Sequence, residues 1–202
     1  KSAEVREMHK QNARKAAKAG EAPAAPAKKA SAQKATAKKA GGKVLFIATA
    51  EGRDEEMRER IEKHNRERPA GWRTVEAAIN LADKIRQELQ DSNIVILDCL
   101  NMLISNILDR HVSPVDMDNV NYQKLEKQID SEIRDLEQCM QESKATFIIV
   151  SNEVGMGLVS LNKLGRYYQD LLGTANQRLS QFSSEVYLVI SGIPVRIKPQ
   201  RT

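Results

Sequence analysis

Between Ile61 and Glu76 the chain reads I-E-K-H-N-R-E-R-P-A-G-W-R-T-V-E, with one histidine, three arginines and the only tryptophan in sixteen positions. His64 follows Ile61 by three residues and Met57 by seven, so a helix through this stretch places it on the apolar side. Arg66, Arg68 and Arg73 come directly after, and guanidinium groups are the side chains best shaped to grip phosphate oxygens in pairs. An imidazole that is neutral near pH 7 is a competent nucleophile, and arginines beside it would stabilise charge building on a phosphate under attack. A helix end with a solvated charge run and a core histidine accounts for the same residues. From this stretch alone both readings stand.

Asp98 closes the apolar run I-V-I-L, the Walker-B arrangement in which a carboxylate at a strand end holds Mg²⁺ directly or through water. Many α/β proteins end a strand with Asp, so this signal alone is weak. Glu153 follows F-I-I-V-S-N in a similar position, and Gly155 and Gly157 behind it allow a tight turn.

The elements that must position these groups are legible as alternating strands and helices. K-V-L-F-I-A-T from Lys43, N-I-V-I-L-D-C-L and A-T-F-I-I-V-S-N are continuous apolar runs of strand length, as expected of strands buried on both faces. The pattern predicts helices over Asp54–Arg66, Val75–Leu89, Asn101–Asp109, Tyr122–Glu142 and Asn162–Phe182, with an H-V-S-P-V-D loop after the third. E-V-Y-L-V-I-S-G and V-R-I-K read as two last strands. Such alternation implies a parallel sheet covered by helices, with ligands bound beyond the carboxyl ends of the strands. Those ends are Ala48-Thr49-Ala50, Asp98, Ser151-Asn152-Glu153 and Ser191-Gly192, a small, polar and acidic rim on apolar strands.

The formal charge of the 202-residue chain is +5, but it is unevenly placed. Residues 1–42 carry eleven Lys/Arg against three Asp/Glu, whereas the remainder carries 21 against 24. The basic character belongs to the tail, and the folded part makes no charge-based case for nucleic acid. Ala19 to Gly42 is Ala, Lys, Pro and Gly with almost nothing to bury, so the expectation is a disordered tail or insertion over 1–42, then one nucleotide-binding domain over 43–202. Cys99 and Cys139 lack metal-ligand spacing, the apolar runs are far short of a membrane span and no signal peptide is visible. A reduced, cytoplasmic chain is expected.

Taken together, I-A-T-A, D-E-E-M-x-x-R-I-x-x-H, R-P-A-G-W-R-T-V-E, L-D-C-L-N-M-L-I-S-N, S-N-E-V-G-M-G-L-V, L-G-T-A-N-Q-R-L and V-Y-L-V-I-S-G-I-P-V-R-I-K closely resemble one family, in order, from about Lys43 to Lys198. It is the bifunctional adenosylcobinamide kinase/adenosylcobinamide-phosphate guanylyltransferase family of cobalamin biosynthesis. The resemblance implies a RecA-like P-loop α/β fold, usually a homotrimer, and two reactions. A nucleoside triphosphate, ATP or GTP, phosphorylates adenosylcobinamide; GTP with Mg²⁺ then passes GMP to that phosphate through a guanylyl-histidine. By the family pattern His64 is the guanylylated residue. Ala48, Thr49, Ala50, Asn65, Arg66, Glu67, Arg68, Glu76 and Asp98 fall at guanine-nucleotide positions, with Asp98 also the metal ligand. Trp72 is expected to pack its loop against the domain.

The chain departs from the family in two places. Lys63-His64 stands where the family often has two histidines. The G-G-x-R-S-G-K-S phosphate loop that opens the family is not seen, unless Lys1-Ser2 is its remnant and the Ala/Lys/Pro segment an insertion. A non-catalytic or N-terminally truncated homologue that keeps the fold, or an unrelated P-loop ATPase, are the competing expectations.

Overall fold

The computed structural model describes residues 42–111 and 120–198. The expectations for residues 1–41 and for most of the H-V-S-P-V-D loop lie outside the described residues. Strands β1 (Val44–Ala48), β2 (Arg73–Glu76), β3 (Ile94–Asp98) and β4 (Thr146–Val150) form one parallel sheet in the order β2-β1-β3-β4. Among the described residues five helices accompany them: α1 (Glu55–Glu67), α2 (Leu81–Glu88), α3 (Leu100–His111), α4 (Tyr122–Glu142) and α5 (Lys163–Phe182). Strands β5 (Val186–Ile190) and β6 (Ile193–Lys198) follow α5. The α/β architecture with a mainly parallel sheet is the one expected.

Side chains on a strand alternate between faces, and β1 and β3 are buried on both, which is why they read as unbroken apolar runs. Leu45, Ile47, Val95 and Leu97 face the main core, built with α2, α3, α4 and α5. Helix α4 contributes Leu125, Ile129, Ile133 and Leu136, a stripe at helical spacing. Val44, Phe46, Ile94 and Ile96 face the other way, into a smaller cluster with Ala48, Trp72 and Ile148. Helix α1 starts at the Asp54 N-cap, whose carboxylate accepts from Met57 N at 2.7 Å, and it buries none of its residues fully. Its Met57, Ile61 and His64 are half-buried, a spacing of four and three that defines one helical face.

Two elements differ from the sequence expectation. The helix anticipated over Val75–Leu89 is a strand followed by a shorter helix. Arg73–Glu76 pairs with β1, and left-handed Asn80 (φ 54°) interrupts the chain before α2 begins at Leu81. Partnership with β1 overrides local periodicity over so short a stretch. The last two strands are also not part of the parallel sheet. Ser191 and Gly192 both take positive φ (52° and 83°), the conformation of a two-residue I′ hairpin turn, so β5 and β6 pair antiparallel as a separate ribbon. Ser191-Gly192 is therefore a hairpin tip and leaves the candidate rim. His111, expected in a loop, is the last residue of α3, with Nε2 2.6 Å from Gln128 Oε1.

The start of α2 is secured from a distance. Asn80 offers no side-chain cap to it, and Glu132 of α4, 8% exposed, accepts from Asn80 N at 2.8 Å and Leu81 N at 3.4 Å. A carboxylate at a helix N-terminus satisfies free N–H groups and complements the helix dipole. Glu132→Ala should lower the unfolding free energy by about 2 kcal/mol, within the range for stranding buried donors. Glu132→Gln, which retains one acceptor, should lose less. Urea midpoints for the three proteins check this, and an unchanged midpoint for Glu132→Ala contradicts it.

Candidate functional site

Parallel pairing aligns Ala48 with Glu76 on one side and with Asp98 on the other. The ends of β2, β1 and β3 are thus level, about 4.8 Å from strand to strand. By alternation Glu76 and Asp98 lie on the Phe46 face, beneath α1 and the loop after it. Opposite them, His64 Nε2 lies 3.8 Å from Asp98 Oδ2, with the side chains 28% and 17% exposed. That separation is longer than a hydrogen bond and leaves both groups open to a ligand. The imidazole ring sits 6.3 Å from the Phe46 ring.

Arg68 completes the cluster. Its guanidinium carbon lies 3.9 Å above the centre of the Phe46 ring, and Nη1 donates to Thr74 Oγ1 at 2.8 Å. Its Nε is buried without a hydrogen-bond partner. Burial pushes the guanidinium pKa down, while Asp98 and then Glu76 oppose the shift. A cation held in an apolar bed with a donor unspent is suited to an anion that brings its own acceptors. Trp72 stacks on Phe46 at 5.9 Å and 24°, and its backbone N–H donates to Pro69 O at 3.0 Å, so it packs the loop against the domain as expected. Beside α1 an open groove of about 530 Å³ runs between Arg58, Ile61 and Glu62 on the helix and Ala50, Glu76 and Ala78 on the rim.

Thr49 belongs to the same rim but serves it from inside. It is fully buried; its hydroxyl donates to Cys99 O at 2.8 Å and accepts from Cys99 N at 2.7 Å, and its N–H donates to Asp98 O at 3.0 Å. Its carbonyl accepts from Asn106 Nδ2 at 2.7 Å, and that amide also reaches Ala78 O at 3.1 Å. Asn106 was not singled out in the sequence. A polar residue inside the apolar stripe of α3 was the available signal, because a buried amide must find partners. Asn176 plays the equivalent part at β4: its Oδ1 accepts from Ser151 Oγ at 2.6 Å and its Nδ2 donates to Asn152 O at 2.9 Å. Tyr168, whose phenol is pushed up to about 12 by burial, ties α5 to Asn101 O at 3.5 Å behind the exit of β3.

The remaining sequence candidates are placed less centrally. Asn65, Arg66 and Glu67 are exposed on the last turn of α1, and Arg66 lies 3.7 Å from Glu62 on the solvent side. Arg73 does not join the phosphate-gripping group expected of it. It pairs with Leu45 three residues before the rim, roughly 10 Å back along the strand, and bonds Glu88 at 3.1 Å. Glu153 is exposed, and its carboxylate accepts from Gly155 N at 2.6 Å. Glu51, which joins the groove, is held below the usual carboxylate range by its hydrogen bonds to Arg53 and the nearby Arg110. Among the described residues no group of three or more His, Cys, Asp or Glu forms a metal cage.

The Thr49 hydroxyl is the attachment between β1 and the backbone after Asp98. Thr49→Val keeps the shape but removes the hydroxyl's two hydrogen bonds to the Cys99 backbone, so stability should fall by about 1–3 kcal/mol, while Thr49→Ser should stay near wild type. Thermal unfolding of the two variants decides it; equal melting temperatures for Val and wild type count against the clamp.

A family model described as cobinamide kinase / cobinamide phosphate guanyltransferase matches residues 23–197. The bifunctional adenosylcobalamin biosynthesis protein CobU of Escherichia coli K12 is 40% identical over 155 residues, covering 77% of this chain and 86% of that protein. The CobU protein of Salmonella typhimurium LT2 gives the same figures, 40% over 155 residues, 77% and 86%. The CobP protein of Pseudomonas aeruginosa PAO1 is 33% identical over 162 residues, 80% of this chain and 86% of its own length. With its parallel sheet, level strand ends and histidine–carboxylate–arginine cluster, this chain belongs to the cobinamide kinase / cobinamide phosphate guanyltransferase family of nucleotide-using transferases.

Proposed function

We propose that the chain phosphorylates adenosylcobinamide with a nucleoside triphosphate and then transfers GMP from GTP to the resulting phosphate, giving adenosylcobinamide-GDP. The observation that carries this reading is His64 on the half-buried face of α1, 3.8 Å from Asp98 and sharing the Phe46 platform with Arg68. In the guanylyl step an imidazole nitrogen of His64 attacks the α-phosphorus of GTP. An N–P bond forms, the bond to the bridging oxygen breaks, and pyrophosphate leaves with that electron pair. A phosphate oxygen of the acceptor then attacks the same phosphorus, and the N–P bond breaks to return the imidazole. Arg68, with Nε unspent, faces the charge that accumulates on the phosphorus oxygens.

The kinase step moves a γ-phosphoryl group to the aminopropanol hydroxyl and asks the protein for positioning and charge rather than a nucleophile. Asp98 is the residue to hold Mg²⁺, since that ion is commonly bound by one or two carboxylates plus substrate phosphates and water rather than by a cage. A bound Mg²⁺ would offset phosphate charge in both steps. Ala48, Thr49 and Ala50 shape the rim, and Ala50 and Glu76 line the groove beside it. Asn65, Arg66 and Glu67 flank it from α1. We assign residues 43–202 to this nucleotide-binding domain, with residues 1–42 apart from it, and propose a homotrimer acting in the cytoplasm. Neither Cys99 nor Cys139 forms a disulfide, and no described helix is long and apolar enough to cross a membrane.

Incubation with GTP labelled at the α-phosphate, plus Mg²⁺, should leave acid-labile, base-stable label on the protein. His64→Ala should abolish the label and guanylyl transfer while largely sparing phosphorylation of adenosylcobinamide. Label that persists in His64→Ala, or that maps to His111, refutes the assignment. Complete absence of both activities in the wild-type chain favours a non-catalytic homologue. Asp98→Asn should leave the fold intact and weaken Mg²⁺-dependent GTP binding roughly tenfold or more, because a neutral amide is a poor ligand for a hard cation. Titration calorimetry with and without Mg²⁺ tests this, and an unaltered metal dependence argues against Asp98 as ligand.

A further inference from the structure

The loop from α1 into β2 is closed by its own two ends. Arg68 Nη1 donates to Thr74 Oγ1 at 2.8 Å, and inside that closure the backbone N–H of Trp72 donates to Pro69 O at 3.0 Å. Strand register decides where the acceptor stands. Thr74 is paired with Phe46 across the parallel ladder, so its hydroxyl projects from the same face as the Phe46 ring, one strand away. Arg73, one residue earlier, projects from the opposite face and bonds Glu88 of α2 at 3.1 Å. Two consecutive residues thus do separate work: Arg73 ties β2 to α2, and Thr74 meets the guanidinium of Arg68. That guanidinium is held from two directions, by the ring 3.9 Å beneath it and by the hydroxyl at its edge. A neutral hydroxyl fixes the group without cancelling its charge, as a carboxylate would, and Nε is still without a partner.

We infer that Thr74 is a positioning residue for Arg68 in the guanylyl step, its hydroxyl fixing the guanidinium over Phe46 before the phosphorus is attacked. The inference rests on the preceding functional reading, in which Arg68 faces the charge that builds on the phosphorus oxygens. An unrestrained arginine samples many rotamers, and the entropy of settling into one is then lost at the moment of reaction. Contact with a ring face sets the height of the guanidinium, but it leaves the group free to turn and slide in its own plane. The bond to Thr74 removes that freedom, and a donor fixed in advance costs no reorganisation when charge develops. Thr74 is itself exposed on β2, so the domain does not need its hydroxyl to satisfy a buried group. The competing role for the bond is packing alone, holding the Trp72 loop to β2, and the test separates the two.

Thr74→Val keeps the shape and the β-branching at an exposed strand position, so it should unfold at the wild-type temperature. With Mg²⁺ and saturating GTP, label should accumulate on the full-chain variant about tenfold more slowly than on wild type. The GTP concentration that gives half the maximal rate should stay within about threefold, since the bond serves the transition state rather than ground-state binding. Thr74→Ser restores the acceptor and should label within about twofold of wild type. A wild-type labelling rate in Thr74→Val, with or without a lowered melting temperature, assigns the bond to packing and overturns the inference. Labelling by Thr74→Ser as slow as by Thr74→Val overturns it too. Nitrogen-15 relaxation of the Arg68 Nε–H reads the same bond without turnover. Its order parameter should fall from above about 0.8 in wild type and Thr74→Ser to below about 0.6 in Thr74→Val, and no fall counts against the inference. A wild-type chain that takes no label, yet shows this dependence of Arg68 on Thr74, sinks the guanylyl-histidine reading and with it the step that Thr74 serves, whereas normal labelling by Thr74→Val sinks the positioning role alone.

Discussion

The site depends on the in-register parallel pairing of β1 with β2 and β3. Because Ala48 is level with both Glu76 and Asp98, three chain segments far apart in sequence release their next residues at one height and on one face. A one-residue slip of either neighbour would turn its carboxylate to the opposite side of the sheet, into the apolar core formed with α2 to α5. The register is held by burial on both faces: Leu45, Ile47, Val95 and Leu97 on one, Val44, Phe46, Ile94 and Ile96 on the other. Beyond the last ladder bond, Thr49 and Asn106 take over, bonding the backbone of Asp98, Cys99 and Ala78 so that the rim does not fray into solvent.

Phe46 belongs to both the core and the candidate site. It is a core side chain at 2% exposure, yet Trp72, Arg68 and His64 all rest against its ring. An aromatic floor offers a guanidinium attraction without fully consuming its donors, so Arg68 is held in place and still has capacity for a phosphate. Packing of the Arg68–Trp72 loop and presentation of its cation are therefore one event. Helix α1 contrasts with this. With no fully buried residue, it carries His64 on a face only partly sunk against the sheet, leaving space beside it for the groove.

Charge and apolar surface are separated along the rim. The cluster over β1 and β3 gathers a cation, a carboxylate and an imidazole, whereas the segment leaving β4 is uncharged and turned outward by α5. In the loop between β1 and α1, Glu51 pairs with Arg53 and Arg110, and Glu51 and Arg53 line the groove together with apolar Ala50 and Ile61.

Much of this was determined by the sequence alone. Three buried parallel strands, the amphipathic α4 and α5, the inward face of α1 with His64, and Asp98 at a strand end all follow from apolar patterning, which acts over a few residues. Family membership followed from motifs whose order and spacing survive in the chain, and the family model agrees. Tertiary structure decided what depends on partners. Four residues, Arg73–Glu76, became a strand because β1 offered an edge, and Arg73 was thereby carried away from the rim cluster and paired with Glu88. Glu132 and Asn106, unremarkable among polar helix residues, became a helix cap and a rim clamp because folding buried them next to unpaired backbone groups. The outward set of Met156 to Leu161 was equally invisible, since an apolar run reads as core until side chains from another helix claim its backbone. Local pattern fixes which face a residue takes on its own element; only packing between elements decides what that face meets.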